Sequence, residues 1–158
     1  MSKLLVVFGA TGAQGGSLID YGLQDAPLSK EYRLRGITRN GSKPSAVKLA
    51  AKCVEMVEAS TNIPSSLAAA VEGADALFAV TDSWNSKSPS TEIAQGKAIA
   101  DAALAAGVMV IIFSSLSSIS KMLNGEVTSL PQFDGKAVVE ECIQGLSVPV
   151  SVFYLAGW

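Results

Sequence analysis

The sequence predicts an α/β protein of the Rossmann-like, doubly wound kind, with six parallel strands in the order 3-2-1-4-5-6. Three observations predict it. A wholly apolar run, Leu4-Leu5-Val6-Val7-Phe8, opens the chain and reads as a strand buried on both faces. Glycines at 9, 12 and 15 follow at once and lead into Ser17-Leu18-Ile19, where a helix is under way. Short apolar runs then alternate strictly with helical stretches, as right-handed βαβ units require. With 158 residues, 49% of them apolar and 16% charged, the chain is read as one domain, residues 1–158, with a core large enough to cover a sheet on both faces.

The elements follow in order. Strand 1 is read at residues 4–8, and the first helix at 15–23, with Leu18, Ile19 and Leu23 on one side. Strand 2 covers 32–38. A helix over 44–52 begins with a proline suited to the first turn and presents Val47 and Ala50 inward. Strand 3 covers 54–58, and a short helix over 65–71 has Leu67 and Val71 four apart, ended by Gly73. Strand 4 covers 76–81. The longest helix, 90–106, carries Ile93, Lys97, Ala100 and Leu104 down one side and closes at Gly107. Strand 5 covers 108–114, the last helix 132–144 offers Val138 and Cys142 with Gly145 at its end, and strand 6 covers 150–155. Asn40-Gly41 reads as a plain loop, because helical residues follow it rather than a second strand. Two longer polar loops, 82–89 and 115–131, leave the carboxyl edge of the sheet, where ligands sit in such folds.

Composition excludes several functions. The net charge is −2 with no long basic run, so direct binding of nucleic acid is not expected. The apolar runs are far shorter than a membrane span and the N-terminus lacks a signal-peptide pattern, which predicts a cytoplasmic or nuclear protein. Cys53 and Cys142 show neither CxxC nor metal spacing and read as small buried hydrophobes in a reducing compartment. The chain has no histidine, which rules out Ser-His-Asp and Cys-His catalysis and weighs against a metal site.

The glycine turn carries the chemistry. Gly9 allows the tight turn out of the strand, Gly12 lets a pyrophosphate approach the backbone, and Gly15 lets the helix lie close to the sheet. The free N–H groups at the helix start attract the anion. The spacing is GxxGxxG rather than GxGxxG, and a glycine-rich turn without a ligand is the competing reading. At the end of strand 2, where an NAD site offers an acid to the ribose, the chain has Thr38-Arg39-Asn40. Arg39, joined by Lys43, suits a 2′-phosphate and predicts NADP in preference to NAD; a solvated arginine is the alternative. Thr81 closes strand 4 where a nicotinamide ribose passes. Ser114 and Ser115 close strand 5, either facing the same cleft or satisfying backbone groups. Lys136 stands at the start of the last helix, the end that disfavours cations, so it either meets ribose hydroxyls or is a solvated surface lysine.

These residues together resemble the NmrA-like family, within the atypical short-chain dehydrogenase/reductase group. The segments that carry the resemblance are VFGATGAQGGS (7–17), ITRNGSKPSA (37–46), DALFAVTDSW (75–84), EIAQGKAIADAALAAGV (92–108), FSSLSSISK (113–121) and FDGKAVVEE (133–141). They span nearly the whole chain in the family's order. The resemblance implies a Rossmann domain that binds NADP(H). It also implies one of two roles: a regulator or redox sensor acting on a protein partner, such as the GATA-type transcription factor restrained by the fungal namesake, or an NAD(P)H-dependent reductase. It assigns Gly9, Thr11, Gly12, Ala13, Gln14 and Gly15 to the pyrophosphate, Arg39 to the 2′-phosphate, and Thr81 to the ribose. Lys136 falls near the nicotinamide, catalytic only in a reductase.

The chain departs from the wider group at three places. The Tyr-x-x-x-Lys pair of classical dehydrogenases has Gln132 in the tyrosine position, so no phenol stands there to protonate a carbonyl. Strand 3 ends Glu58-Ala59-Ser60-Thr61, where relatives carry Gly-Asp. Family members also continue for about another domain-half. An edge strand carrying Val150, Val152, Phe153, Leu155 and Trp158 is therefore expected to lack part of its cover, and the chain to be a homo-oligomer, aggregation-prone or a fragment. Three readings remain at this point: a cofactor-sensing regulator working through loops 82–89 and 115–131, a reductase of a small quinone or carbonyl compound, and a partial product that only binds nucleotide or nothing.

Overall fold

The computed structural model describes residues 2–82, 88–126 and 131–154, the side chains of 131 and 132 excepted. Its strands are β1 (Lys3–Val7), β2 (Tyr32–Thr38), β3 (Glu55–Glu58), β4 (Ala76–Ala79), β5 (Val110–Ser115) and β6 (Val150–Tyr154). All five pairings are parallel and the order is β3-β2-β1-β4-β5-β6, the predicted one. The helices are α1 (Ala13–Gln24), α2 (Ala26–Glu31), α3 (Pro44–Ala50), α4 (Leu67–Val71), α5 (Pro89–Ala105), α6 (Ile119–Met122) and α7 (Pro131–Gln144). Among the described residues no helix is long and apolar enough to cross a membrane.

Successive β1 side chains point to opposite faces, and each face has its own core. Leu4, Val6 and Phe8 join Leu77, Ile111, Phe113, Ile99, Ala103, Val139 and Ile143 under α4, α5 and α7. Val7 joins Ile19, Leu34, Leu49 and Phe78 under α1 and α3. The sheet is thus covered on both sides, which is why its central strands read as continuous apolar runs. β6 is an edge strand: Val150, Val152 and Phe153 are half-buried and Tyr154 is exposed. Phe153 stacks on Phe78 with ring centroids 5.9 Å apart. Leu155 and Trp158 lie outside the described residues.

Three helix faces differ from expectation by about one residue of phase. α3 buries Ala46 and Leu49 and leaves Val47 exposed. α5 buries Glu92, Gly96, Ile99, Ala100 and Ala103, whereas Lys97 and Leu104 face solvent. α7 buries Val139 and Ile143 rather than Val138 and Cys142. In α5 small residues, Gly96, Ala100 and Ala103, take most of the buried positions, and in α3 Ala46 shares the buried face with Leu49. Cys53 is also not buried: it sits exposed in the turn after α3 with φ 66°, outside the core that α3 covers. Two short helices appear beyond those expected. α2 is capped by Asp25, whose Oδ1 accepts the Leu28 N–H at 2.9 Å, and α6 by Ser118 within the 115–131 connection.

The seam between α5 and α7 is the tightest helix contact with a side-chain cause. A β-carbon added at Gly96 would lie 2.4 and 2.6 Å from the two γ-carbons of Val139. Valine is stiff and cannot turn aside. Gly96→Ala is therefore expected to destabilise the protein by about 1–3 kcal/mol despite its better helix propensity. Urea denaturation should show the loss, and Gly96→Ala combined with Val139→Ala should cost less than the two single changes added together.

Candidate functional site

β1 ends against the start of α1. Gly9 takes φ +67°, and the Gly12 N–H donates to the Gly9 carbonyl at 2.9 Å, closing the turn. A β-carbon at Gly15 would stand 2.3 Å from that same carbonyl oxygen, so only glycine allows the helix to start here. Gly12 caps α1 without a side chain, and the first turn holds no acid. Its early N–H groups therefore face the carboxyl edge with no side-chain acceptor, a positive end open to an anion. The helix begins at Ala13, two residues before the predicted start, which brings Ala13 and Gln14 into that first turn.

The strand order reverses between β1 and its neighbours β2 and β4, and a cleft of about 810 Å³ opens there. Gly9, Thr11, Gly12, Ala13, Gln14, Gly15, Arg39, Lys43, Thr81 and Lys136 all line it. Its described lining includes three cations, Arg39, Lys43 and Lys136, against one anion, Asp82. The Gln14 side-chain oxygen is buried without a hydrogen-bond partner among the described residues. A carboxamide left unmatched beside an uncapped helix start fits an absent polar ligand.

At the β2 end, the Thr38 hydroxyl accepts the Asn40 N–H at 3.3 Å, and Asn40 Oδ1 accepts from Ser42 N at 2.9 Å. These bonds fold residues 38–42 so that Arg39 and Lys43 both reach the cleft. Arg39 is 62% exposed at its side chain and lies 3.7 Å from Asp82. Glu58, at the end of β3, accepts the Gly41 N–H at 2.6 Å.

The β4 end is built differently. Lys136 is 8% exposed and Glu92 1%. Lys136 Nζ donates to the Thr81 carbonyl and to Thr81 Oγ1, both at 2.8 Å, and lies 3.1 Å from Glu92 Oε1. The Thr81 hydroxyl donates to the same Glu92 oxygen at 2.6 Å. Lys136 is therefore not a solvated lysine, and Glu92 explains how a cation stands near the start of α7. Burial pushes the Lys136 ammonium below the ordinary lysine range, and the Glu92 carboxylate opposes that shift. Beside it, the Ser118 hydroxyl donates to Asp134 at 2.8 Å and holds that carboxyl below the usual range, tying the segment after β5 to α7.

Ser114 and Ser115 do not join the cleft. Both are buried in β5 beside β6, away from the cleft lining, and the Ser115 hydroxyl donates to the Leu116 carbonyl at 3.4 Å. Sequence reasoning missed Glu92, although an acid at 92 shares the periodic face of 96, 99, 100 and 103 and was a signal in plain view. It also missed Asn62 and Gln95, which bond to each other at 2.8 Å across the rim. Nothing in their spacing marks that contact, since the turn after β3 and α5 are far apart in sequence. The side chain of Gln132 lies outside the described residues, as do residues 83–87.

A strand, glycine turn and helix at the switch point of a six-stranded parallel sheet place the protein in the Rossmann class. Within it, the chain belongs to the NmrA-like family, whose model matches residues 1–158. It is 31% identical to an NmrA-like family domain-containing protein of Dictyostelium discoideum, over 100% of this chain and 52% of that protein. An NmrA-like family domain-containing oxidoreductase of Aspergillus campestris is 40% identical over 81% of this chain and 38% of its own length. Among solved structures, the negative transcriptional regulator NmrA in complex with NADP is similar with TM-score 0.79 and 27% identity, over 97% of this chain and 45% of that one. Citrobacter sp. triphenylmethane reductase complexed with NADP(H) gives TM-score 0.81 and 26% identity, over 98% of this chain and 50% of that one. The chain spans about half the length of the curated relatives it matches.

The buried pair yields a prediction. Lys136→Met leaves the Glu92 carboxylate buried without its cation and should destabilise by about 3–5 kcal/mol. Lys136→Met with Glu92→Gln removes both charges and should recover most of that in urea denaturation. A single variant as stable as the double would contradict the pairing.

Proposed function

We propose that the chain binds NADP(H) in this cleft and that occupancy is read by a protein partner, making it a cofactor-responsive regulatory protein. The observation that carries the binding is the uncapped start of α1 behind Gly9 and Gly15, opening into a cleft with an excess of cations. In this reading Gly9, Thr11, Gly12, Ala13, Gln14 and Gly15 hold the pyrophosphate on backbone N–H groups. Arg39 and Lys43 meet the 2′-phosphate, the paired guanidinium donors supplying preference for NADP over NAD. Thr81 lies beside the nicotinamide ribose, with Lys136 behind it. Ser114, buried away from the cleft lining, has no contact to contribute unless the strand end moves. Relatives support the assignment: NmrA is solved in complex with NAD and with NADP, and the triphenylmethane reductase with NADP(H).

Regulation is favoured over turnover by what the cleft offers a reacting group. Its described lining contains no tyrosine, histidine or cysteine, and the one buried cation has its donors engaged by Thr81 and Glu92. In this reading the partner is a transcription factor, the kind the family resemblance implies, NmrA being a negative transcriptional regulator; a second copy of the chain is the other candidate. A second reading, reductase of a small quinone or carbonyl compound, rests on Lys136 at the cleft and on relatives described as oxidoreductases. In that reading the reduced cofactor supplies hydride and the chain's residues only orient the acceptor.

Calorimetric titration should give tighter binding of NADP than of NAD by about tenfold, the scale of one charged contact. Arg39→Asp should reverse the order. Equal affinities before and after the change remove Arg39 from the site. Incubation with NADPH and a panel of quinones should show no loss of reduced cofactor; turnover that Lys136→Ala abolishes would replace regulation by the reductase reading.

A further inference from the structure

We infer that Glu92 is a positioning residue of the cleft, holding Thr81 as a hydrogen-bond acceptor and Lys136 as a fixed cation at the β4 end. The bonding leaves little freedom. The Thr81 hydroxyl has one proton and donates it to Glu92 Oε1 at 2.6 Å, so its lone pairs are what it shows to anything else. One of them accepts from Lys136 at 2.8 Å. The ammonium has three donors, and three oxygens stand around it: the Thr81 carbonyl, the Thr81 hydroxyl and Glu92 Oε1. What remains toward the cleft is an acceptor lone pair on Thr81 and a positive charge that does not wander.

Two helices converge to make this. Glu92 sits in the first turn of the 17-residue α5, the end that favours an acid, on the buried face shared with Gly96 and Ile99. α7 gives it room through Gly135, where a β-carbon would stand 3.1 Å from Glu92 Oε2. The charged groups facing Lys136 are Glu92 from α5 and Asp82 beyond β4. Burial pushes the lysine toward its neutral form, and the Glu92 carboxylate opposes that shift. Resting on the proposed dinucleotide site, this assigns the ligand group that docks at Thr81 to the donor class, a ribose hydroxyl or a carboxamide NH2.

The test uses the full chain with lysine side chains labelled for NMR, first without ligand. Lys136 should show an ammonium signal protected from exchange with water, and in Glu92→Gln its titration midpoint should fall by about one pH unit or more. Glu92→Asp should fall between. NADP affinity in Glu92→Gln should then be about tenfold below wild type at a pH between the two measured Lys136 midpoints and close to it at a pH below both, where the ammonium is charged in either protein. A merely structural role would weaken binding equally at both pH values. An unmoved Lys136 midpoint, or an equal loss at both pH values, overturns the inference. Should Glu92→Gln fail to fold, the wild-type signal still decides, because rapid water exchange at Lys136 overturns it. If the midpoint falls in Glu92→Gln while the wild type binds no NADP, the role of Glu92 stands and the cofactor reading is removed instead.

Discussion

The approach of α1 to the end of β1 fixes the rest of the site. With Gly15 so near Gly9 that no β-carbon fits between them, the helix axis must aim at the carboxyl edge of the sheet. The strand spends its last backbone groups on the turn, and the helix starts with no side chain to cap it. A positive helix end is thereby held on a rigid support, at the point where β2 and β4 diverge on either side of β1.

The opposite face of the sheet is held by a different device. α5 and α7 touch through small residues, Gly96 against Val139 and Gly135 against Glu92, so their separation is set by contact distance. At the cleft end of that seam lie Glu92 and Lys136. Two charges in a dry seam cost desolvation that their attraction offsets only when the remaining donors and acceptors are matched. Thr81 does the matching from the end of β4, accepting twice from the lysine and donating once to the acid. Sheet, α5 and α7 are thus joined at one buried point, and packing and polarity there are a single constraint.

The sequence was legible where a feature is local. The apolar run into Gly9, Gly12 and Gly15 marks strand, turn and helix within seventeen residues, and the alternation of runs yields the sheet order because crossover handedness leaves few choices. Arg39, Lys43, Thr81 and Lys136 are legible for the same reason: each stands at a strand end or helix start, and the topology brings those to one edge. Helix faces were less legible. In α3, α5 and α7 the buried positions hold Ala, Gly or Glu beside branched residues, so the largest hydrophobes do not outline the inner face. Glu92 escaped because an acid on an apolar face is normally read as a break in the pattern. Only the tertiary partner Lys136, 44 positions away, turns it into a buried pair. Ser114 is hard to read for a related reason: it lies one residue before the end of β5, and with β6 alongside its side chain is buried.

The two ends of the cleft are built differently. At the β2 end, Arg39 is largely exposed and its contact with Asp82 is long, so the pair adds little stability and is screened by salt. Such a cation is not committed to one geometry by the residues around it. At the β4 end, Lys136, Thr81 and Glu92 are buried and mutually bonded, so their positions are set before any ligand arrives. Asp82 follows Thr81 directly in the chain. The same two residues therefore carry the acid that meets Arg39 across β1 and the hydroxyl that meets Lys136 beneath it. An anion that draws Arg39 away from Asp82 acts on the residue next to the rigid triad. The link between an adaptable charge at one end and a fixed one at the other is a single peptide bond.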